Sequence, residues 1–366
     1  EDGIRHLVRS RGLGDVYKRQ EDQWPEHSKI LREVLERANY KPLEDQNGYF
    51  EDGFFPATIS NADEQRVSAG MGYLSADVRK RKNLTISTRT QITELLFEDL
   101  RCVGIKARVD GKLQEFRGRE VILSSGAIHS PAHLLRAGIG PTGHLHDLGI
   151  PVRHASFGVG QRLMDHPSVA LAAFVKRGAR VKNHLSRRHS YLGMRYSSEI
   201  GGAPPGDMYV AFMTKTSWHA VGEQIGSFLL FVNKVFSETG EVRLATPHWA
   251  DEPEVEFNLL SDRRDLDRIA GGLRRLAPLY SDPALKDVVS DPFPASYSDK
   301  VRQVGEINTK NKILTGIMAR LLDGPAFLRS FLIKNFIMEG FTIDGVCNDC
   351  LLYTSDAADE GLGVDI

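Results

Sequence analysis

The chain has 366 residues, enough for two domains or one large one. Its 47 Lys+Arg against 48 Asp+Glu leave a net charge of −1, so no bulk field favours nucleic acid. The 3 cysteines supply neither a disulfide framework nor a second pair to complete a zinc site, and they leave the compartment open.

Ser10–Gln20 reads SRGLGDVYKRQ and Cys350–Glu360 reads CLLYTSDAADE. Both match translations of transposon-based sequencing adapters, in opposite orientation. The expectation is that residues 1–20 and 350–366 are adapter-derived and disordered. The natural polypeptide then runs from about Glu21 to about Asp349, as an internal piece of a longer one. Cys347-Asn348-Asp349-Cys350 loses its reading as a redox or metal motif, because Cys350 falls in the adapter match.

Trp24–Tyr40 has helical spacing, with Ile30, Leu31, Val34 and Leu35 on one face. Asn47–Asn61 is rich in Gly, Phe and Asp and reads as a loop. Val67–Arg81 is again helical, and Arg79-Lys80-Arg81-Lys82 complements its dipole as a solvated end. Strands are predicted at Leu84–Ser87, Gln91–Phe97, Cys102–Val109, Leu113–Arg117 and Glu120–Ser124, with Asp110-Gly111 as a hairpin turn. Within the last, Val121-Ile122-Leu123 is an apolar run short enough for a buried strand. Ser124-Ser125-Gly126 leads out of it. Ser130 and Pro131 predict the N-cap and first residue of a helix, and Gly138 its C-cap. A strand ending in small residues just before a helix lets a flat or anionic group approach the backbone.

The sequence Gly126-Ala127-Ile128-His129-Ser130-Pro131, then Leu134-Leu135, then Gly138-Ile139-Gly140-Pro141, resembles the second signature of the glucose–methanol–choline (GMC) oxidoreductases. So does Gly158-Val159-Gly160-Gln161 leading to Asp165-His166-Pro167. Ala137 stands where the family has Ser. Arg162 stands where it has Asn, a long cation in place of a small amide that makes local hydrogen bonds. The resemblance implies bound FAD, oxidation of the CH–OH group of a small-molecule alcohol, and an electron acceptor that stays unassigned. It implies an α/β fold: a truncated, Rossmann-like FAD-binding domain over 21–168, and a substrate domain of antiparallel sheet and helices over 169–349, where the family's C-terminal region begins. It places a backbone contact to the adenine at Ile92, which reads equally as plain core. It places further cofactor contacts at the turn of Ser124, Ser125, Gly126 and Ala127. A flavin-dependent lyase, or a non-catalytic piece without cofactor, stays open as an alternative.

The family's G-x-G-x-x-G fingerprint and C-terminal catalytic histidine do not occur between Glu21 and Asp349, so no catalytic residue is assigned and this chain alone is expected to have little or no activity. From about Ala170 the pattern shifts to strands at Val169–Lys176, Met208–Met213, Ser227–Val235 and Glu241–Leu244. Gly240–Leu244, then Val255–Asn258 and Asp262–Asp267, resemble the opening of the family's C-terminal region, which implies a strand pair, an Asp-rich turn and a helix; Ile269–Tyr280 supplies the helix, ended by Ser281-Asp282-Pro283. The basic residues scattered from Lys176 to His189 lack interleaved aromatics and read as surface. Ile313–Met338 is broken by Asp323-Gly324-Pro325 and carries Arg320, Arg329 and Lys334. Two short amphipathic helices packed on the body fit it better than a span; an interfacial helix stays open, and membrane association is not expected. Among the 12 histidines, His166 reads as a hydrogen-bonded loop residue. His129, His133, His144 and His146 lack partners at ligand spacing, so no metal is expected.

Overall fold

The computed structural model of the protein describes residues 24–62, 65–182, 188–295 and 299–337. The described residues start with helix α1, Glu26–Arg37, and strand β1, Gly53–Pro56. Three strands follow: β2, Thr90–Glu98; β3, Arg101–Val109; and β4, Lys112–Arg117. Helix α2 spans Gly126–Arg136. Then come β5, Gln161–Leu163; β6, Ser168–Val175; β7, Ser190–Tyr196; β8, Met208–Met213; and β9, Ile225–Val232. The hairpin of β10, Gly240–Leu244, and β11, Pro253–Glu256, leads to helix α3, Arg263–Leu276. Strand β12, Val289–Ala295, precedes helices α4, Thr309–Leu322, and α5, Ala326–Leu332. The adapter-matched ends and Cys347–Cys350 lie outside the described residues.

The chain forms two compact bodies. Of the described residues, the first draws on 24–72, 166–236 and 262–337, the second on 73–165 and 237–261. The first is built on a six-stranded antiparallel sheet in the order β1-β7-β8-β9-β6-β12. Leu192, Met194, Val210, Phe212, Phe228 and Leu230 on one face are nearly fully buried. Each such side chain contributes about 1.5–3 kcal/mol over exposure. Helix α3 packs on β9 over this face, burying Leu266, Ile269, Leu273 and Leu276, and Asp262 caps it by accepting from Arg264 N at 2.9 Å.

The helix predicted at Trp24–Tyr40 forms as α1, with Leu31, Val34 and Leu35 buried. Asn47–Asn61 is not all loop. Phe54 and Phe55 are both buried and pair with Met194 and Gly193, which makes β1 a sheet edge. Strands β7 and β12 add to those read from sequence. Pro292 and Pro294 sit in β12 because it is the opposite edge, where a missing donor costs little. Val67–Arg81 forms two short helices, Ala69–Tyr73 and Ala76–Arg79, because Ser75 caps the second through Val78 N.

In the second body β2, β3 and β4 form an antiparallel sheet. The Asp110-Gly111 turn is formed as predicted, with φ 45° and 82°, the two positive values a tight hairpin needs. Leu84–Ser87 and Glu120–Ser124 are not strands. Val121–Leu123 has no ladder partner among the described residues, and Ile122 is 82% exposed. Helix α2 begins at Gly126, five residues earlier than predicted. Ser130 does not cap it; its Oγ accepts the Ser125 N–H at 3.0 Å from inside the helix. Pro131 therefore lies within α2 rather than at its first position. Helix α2 packs on the β10–β11 hairpin, which β5 extends to three strands, around Ala132, Leu135, Leu145, Ile150 and Leu244.

Gly138 ends α2 as expected, with φ +78° and its N–H on Leu135 O at 2.9 Å. A Cβ there would fall 2.2 Å from Pro151 O. Gly138→Ala carries both the left-handed penalty and a backbone clash, so it is expected to cost at least about 2 kcal/mol. Denaturant titration of the variant checks this; a loss under about 0.5 kcal/mol would contradict it.

Candidate functional site

The candidate cofactor residues all fall in the second body. Ile92 is half-buried on β2 and pairs with Ala107 of β3. Because β2 is the edge of its sheet, its far side has no ladder partner among the described residues. Ser124, Gly126 and Ala127 are exposed, and Ser125 is half-buried at the N-cap of α2. The Ser125 side chain makes no capping hydrogen bond, and the first turn carries no acid. The first-turn N–H groups thus keep their partial positive charge turned outward. Gly126 has φ +80°, and a Cβ on it would meet nothing within 4 Å. Helix α2 packs beside β2, so the two candidate segments sit on neighbouring elements.

This donor set suits a phosphate or a flat ring edge that comes close to the backbone. It fits one stretch of a dinucleotide. Neither the cavity of ≈ 420 Å³ beside Tyr280 and Phe293 nor that of ≈ 210 Å³ beside His144 and Gln161 is lined by these residues.

The signature residues around the turn have structural work. His166 Nδ1 donates to Val232 O at 3.0 Å, as a loop residue should. Arg162, with φ +58°, occupies a left-handed position that Asn tolerates better than Arg, and its guanidinium pairs with Glu238 at 2.5 Å. Since α2 starts at Gly126, His129 and His133 do share the helix, one turn apart; His129 faces Glu252 at 3.6 Å. Burial, then the charge of Arg136, lowers the His133 pKa. His144 Nε2 accepts from Leu244 N at 3.1 Å, so its proton sits on Nδ1; burial, then Arg243, keeps it below its ordinary value. No group of three or more ligating side chains is placed to hold a metal among the described residues.

A second feature was not read from sequence. On the first body's sheet, Tyr209, Ala211 and Met213 of β8 and Leu229 and Phe231 of β9 point to the face opposite α3 and are half-exposed. Tyr209 lies 6.2 Å from the Phe231 ring and 6.1 Å from Phe55. The space comes from Gly193, where a Cβ would sit 2.7 Å from both Phe55 Cε2 and Tyr209 Oη. Arg195, opposite Tyr209, is buried and reaches the carbonyls of Glu51, Gln46 and Tyr49 at 3.2, 3.4 and 3.4 Å. Burial lowers the Arg195 pKa, and burial raises that of Tyr209 against the pull of Arg195. The result is an apolar, aromatic face with the Arg195 guanidinium beside it. The apolar residues Met208–Met213 carry no alternation that would reveal which side is open.

Residues 15–168 match the family model described as GMC oxidoreductase. The chain is 37% identical over 268 residues to a 5-(hydroxymethyl)furfural oxidase of Methylovorus sp. (strain MP688), covering 72% of this chain and 49% of that protein. It is 36% identical over 160 residues to an oxygen-dependent choline dehydrogenase of Staphylococcus xylosus, covering 43% of this chain and 28% of that protein. The chain thus spans half or less of the length of these relatives. Among solved structures, a formate oxidase superposes with TM-score 0.65 at 22% identity over 76% of this chain and 58% of that one. A pyridoxine 4-oxidase from Mesorbium loti gives TM-score 0.65 at 21% identity, over 82% and 57%. These likenesses agree on a mixed α/β fold with antiparallel sheets. Signature, family match and relatives converge: the chain belongs to the GMC oxidoreductase family.

Proposed function

We propose that the natural protein containing residues 24–337 is an FAD-dependent oxidoreductase that oxidises the CH–OH group of a small-molecule alcohol. The observation that carries this reading is the uncapped, glycine-started N-terminus of α2 inside a GMC signature. Its family membership and the printed activities of its relatives support it. When bound, FAD supplies the two-electron acceptor that no amino-acid side chain provides. Ser124–Ala127 would hold the cofactor through backbone N–H groups, and the open edge of β2 at Ile92 would lie along its adenine. The 37% identity to a 5-(hydroxymethyl)furfural oxidase favours an uncharged furan-type alcohol over a quaternary ammonium.

Gly126→Ala in the full-length protein tests the cofactor contacts. Gly149 is the control: its φ is +67° and a Cβ there also meets nothing within 4 Å, so both substitutions carry similar backbone strain. Gly126→Ala is expected to weaken FAD binding at least tenfold by fluorescence titration of the apoprotein, and Gly149→Ala less than twofold. Equal affinities in the two variants would place the cofactor elsewhere.

A further inference from the structure

The outward surface of α4 and α5 is apolar. Asn311, Thr315, Ala319 and Leu322 of α4 face inward. Ile313, Leu314, Ile317 and Leu321 are exposed, at 60%, 47%, 53% and 42%. On α5, Phe327 and Phe331 are 78% and 56% exposed. Leu322 and Leu332 anchor the two helices to one core cluster with Phe174 and Phe293 of the sheet, so their exposed sides turn away from it.

The orientation is fixed by hydrogen bonds. Asn311 Nδ2 donates to Gln303 O at 2.6 Å and Glu306 O at 3.0 Å, Thr315 Oγ1 donates to Asn311 O at 2.7 Å, and Gln224 Nε2 reaches Ala319 O at 3.0 Å. Rolling α4 to hide its apolar stripe would break the Asn311 and Gln224 bonds; the Thr315 bond lies within the helix and turns with it. A solvated helix face is ordinarily charged or polar, and a contiguous exposed apolar surface marks an interaction site.

The charges around the stripe identify the partner. Lys310, Lys312, Arg320 and Lys334 are exposed alongside it. Among described residues 301–337 the carboxylates are Glu306 and Asp323, and Asp323 is held by Arg180 at 3.1 Å. We propose that the α4–α5 face docks on the surface of an anionic lipid bilayer, taking the interfacial alternative that the sequence leaves open. Exposed Ile, Leu and Phe rimmed by Lys and Arg is the composition of a helix lying in the headgroup region. No helix among the described residues is long and apolar enough to cross a membrane. A second copy is a poorer occupant, because a two-fold contact through this face sets its cations against each other.

Vesicle flotation tests this with phosphatidylcholine alone and with phosphatidylcholine plus phosphatidylglycerol. The wild-type chain is expected to partition at least tenfold better onto the anionic vesicles and to lose that preference in high salt. Ile317→Gln with Phe327→Gln, and separately Lys310→Glu with Lys312→Glu, should each reduce anionic binding at least tenfold. All four positions are exposed, so thermal melts of both variants should match wild type. If the apolar pair unfolds the chain, the charge pair carries the test. Equal partition onto both vesicle types, or wild-type binding by the folded variants, would overturn the proposal. So would a concentration-dependent dimer that the same variants abolish, or a full-length protein that ignores vesicles which the shorter chain binds.

Discussion

Arg268→Ala is expected to lower the unfolding free energy by about 3–5 kcal/mol, the usual cost of breaking a buried ion pair from one side. The Arg268 side chain is fully buried on α3. Its Nη1 donates to Asp207 at 2.9 Å and to Lys234 O at 2.6 Å, and its Nη2 pairs with Asp265. Asp207 also accepts from Ser198 N and Oγ at 2.7 and 2.6 Å, and Asp265 from Phe236 N at 3.0 Å. One guanidinium thus ties the loop after β7, the loop after β9 and helix α3 together. Removing it leaves two carboxylates in the interior without their shared cation. Arg268→Lys should fall between, since an ammonium cannot fork to the same three acceptors. Urea titration at neutral pH measures both; a loss under 1 kcal/mol for Arg268→Ala would contradict the role given to the network.

The second large effect is acid lability from His27. It lies on the inner face of α1, 2% exposed, and its Nδ1 has no hydrogen-bond partner. Burial lowers its pKa from 6.5 to about 4. Between those values the unfolded chain binds a proton that the folded chain refuses. Stability attributable to His27 is therefore full above pH 6.5 and falls as pH drops toward 4, by about 1.4 kcal/mol per unit and about 3 kcal/mol in all. His27→Leu should remove that slope, so that the difference between wild type and variant grows steadily from pH 7 to pH 4. Parallel pH profiles for the two proteins would contradict the assignment.

Much of the secondary structure was legible because it rests on local pattern. The spacing of Leu31, Val34 and Leu35 forces one helix face, and Asp110-Gly111 forces one turn. The failures concern tertiary context. Val121-Ile122-Leu123 has the composition of a buried strand, but a strand is made by its neighbours, and none pairs with it among the described residues. Strand β1 hides in a Gly- and Phe-rich stretch because its residues are both buried, with no alternation to read. Helix α4 inverts the usual rule: Asn311 is drawn inward by the carbonyls of Gln303 and Glu306, and Thr315 satisfies its hydroxyl on Asn311 O within the helix, so both can be buried. At the candidate site, the small residues of Ser124–Ala127 could be read as a turn into a helix. Their assignment to FAD comes from the signature around them, not from residue type. The aromatic face at Tyr209 and Phe231 was hidden because β8 and β9 are apolar on both sides, and only the helix laid over one side distinguishes the other.

The reading of this chain as part of an FAD-dependent alcohol oxidoreductase is tested most directly by anaerobic titration. The full-length natural protein should purify with the visible absorption bands of a flavin. Adding a furan-type or aryl primary alcohol without oxygen should bleach those bands as the flavin takes up two electrons, and choline should do so more slowly. A protein that holds no flavin after reconstitution with FAD, or a bound flavin that no alcohol in the panel reduces, would contradict it.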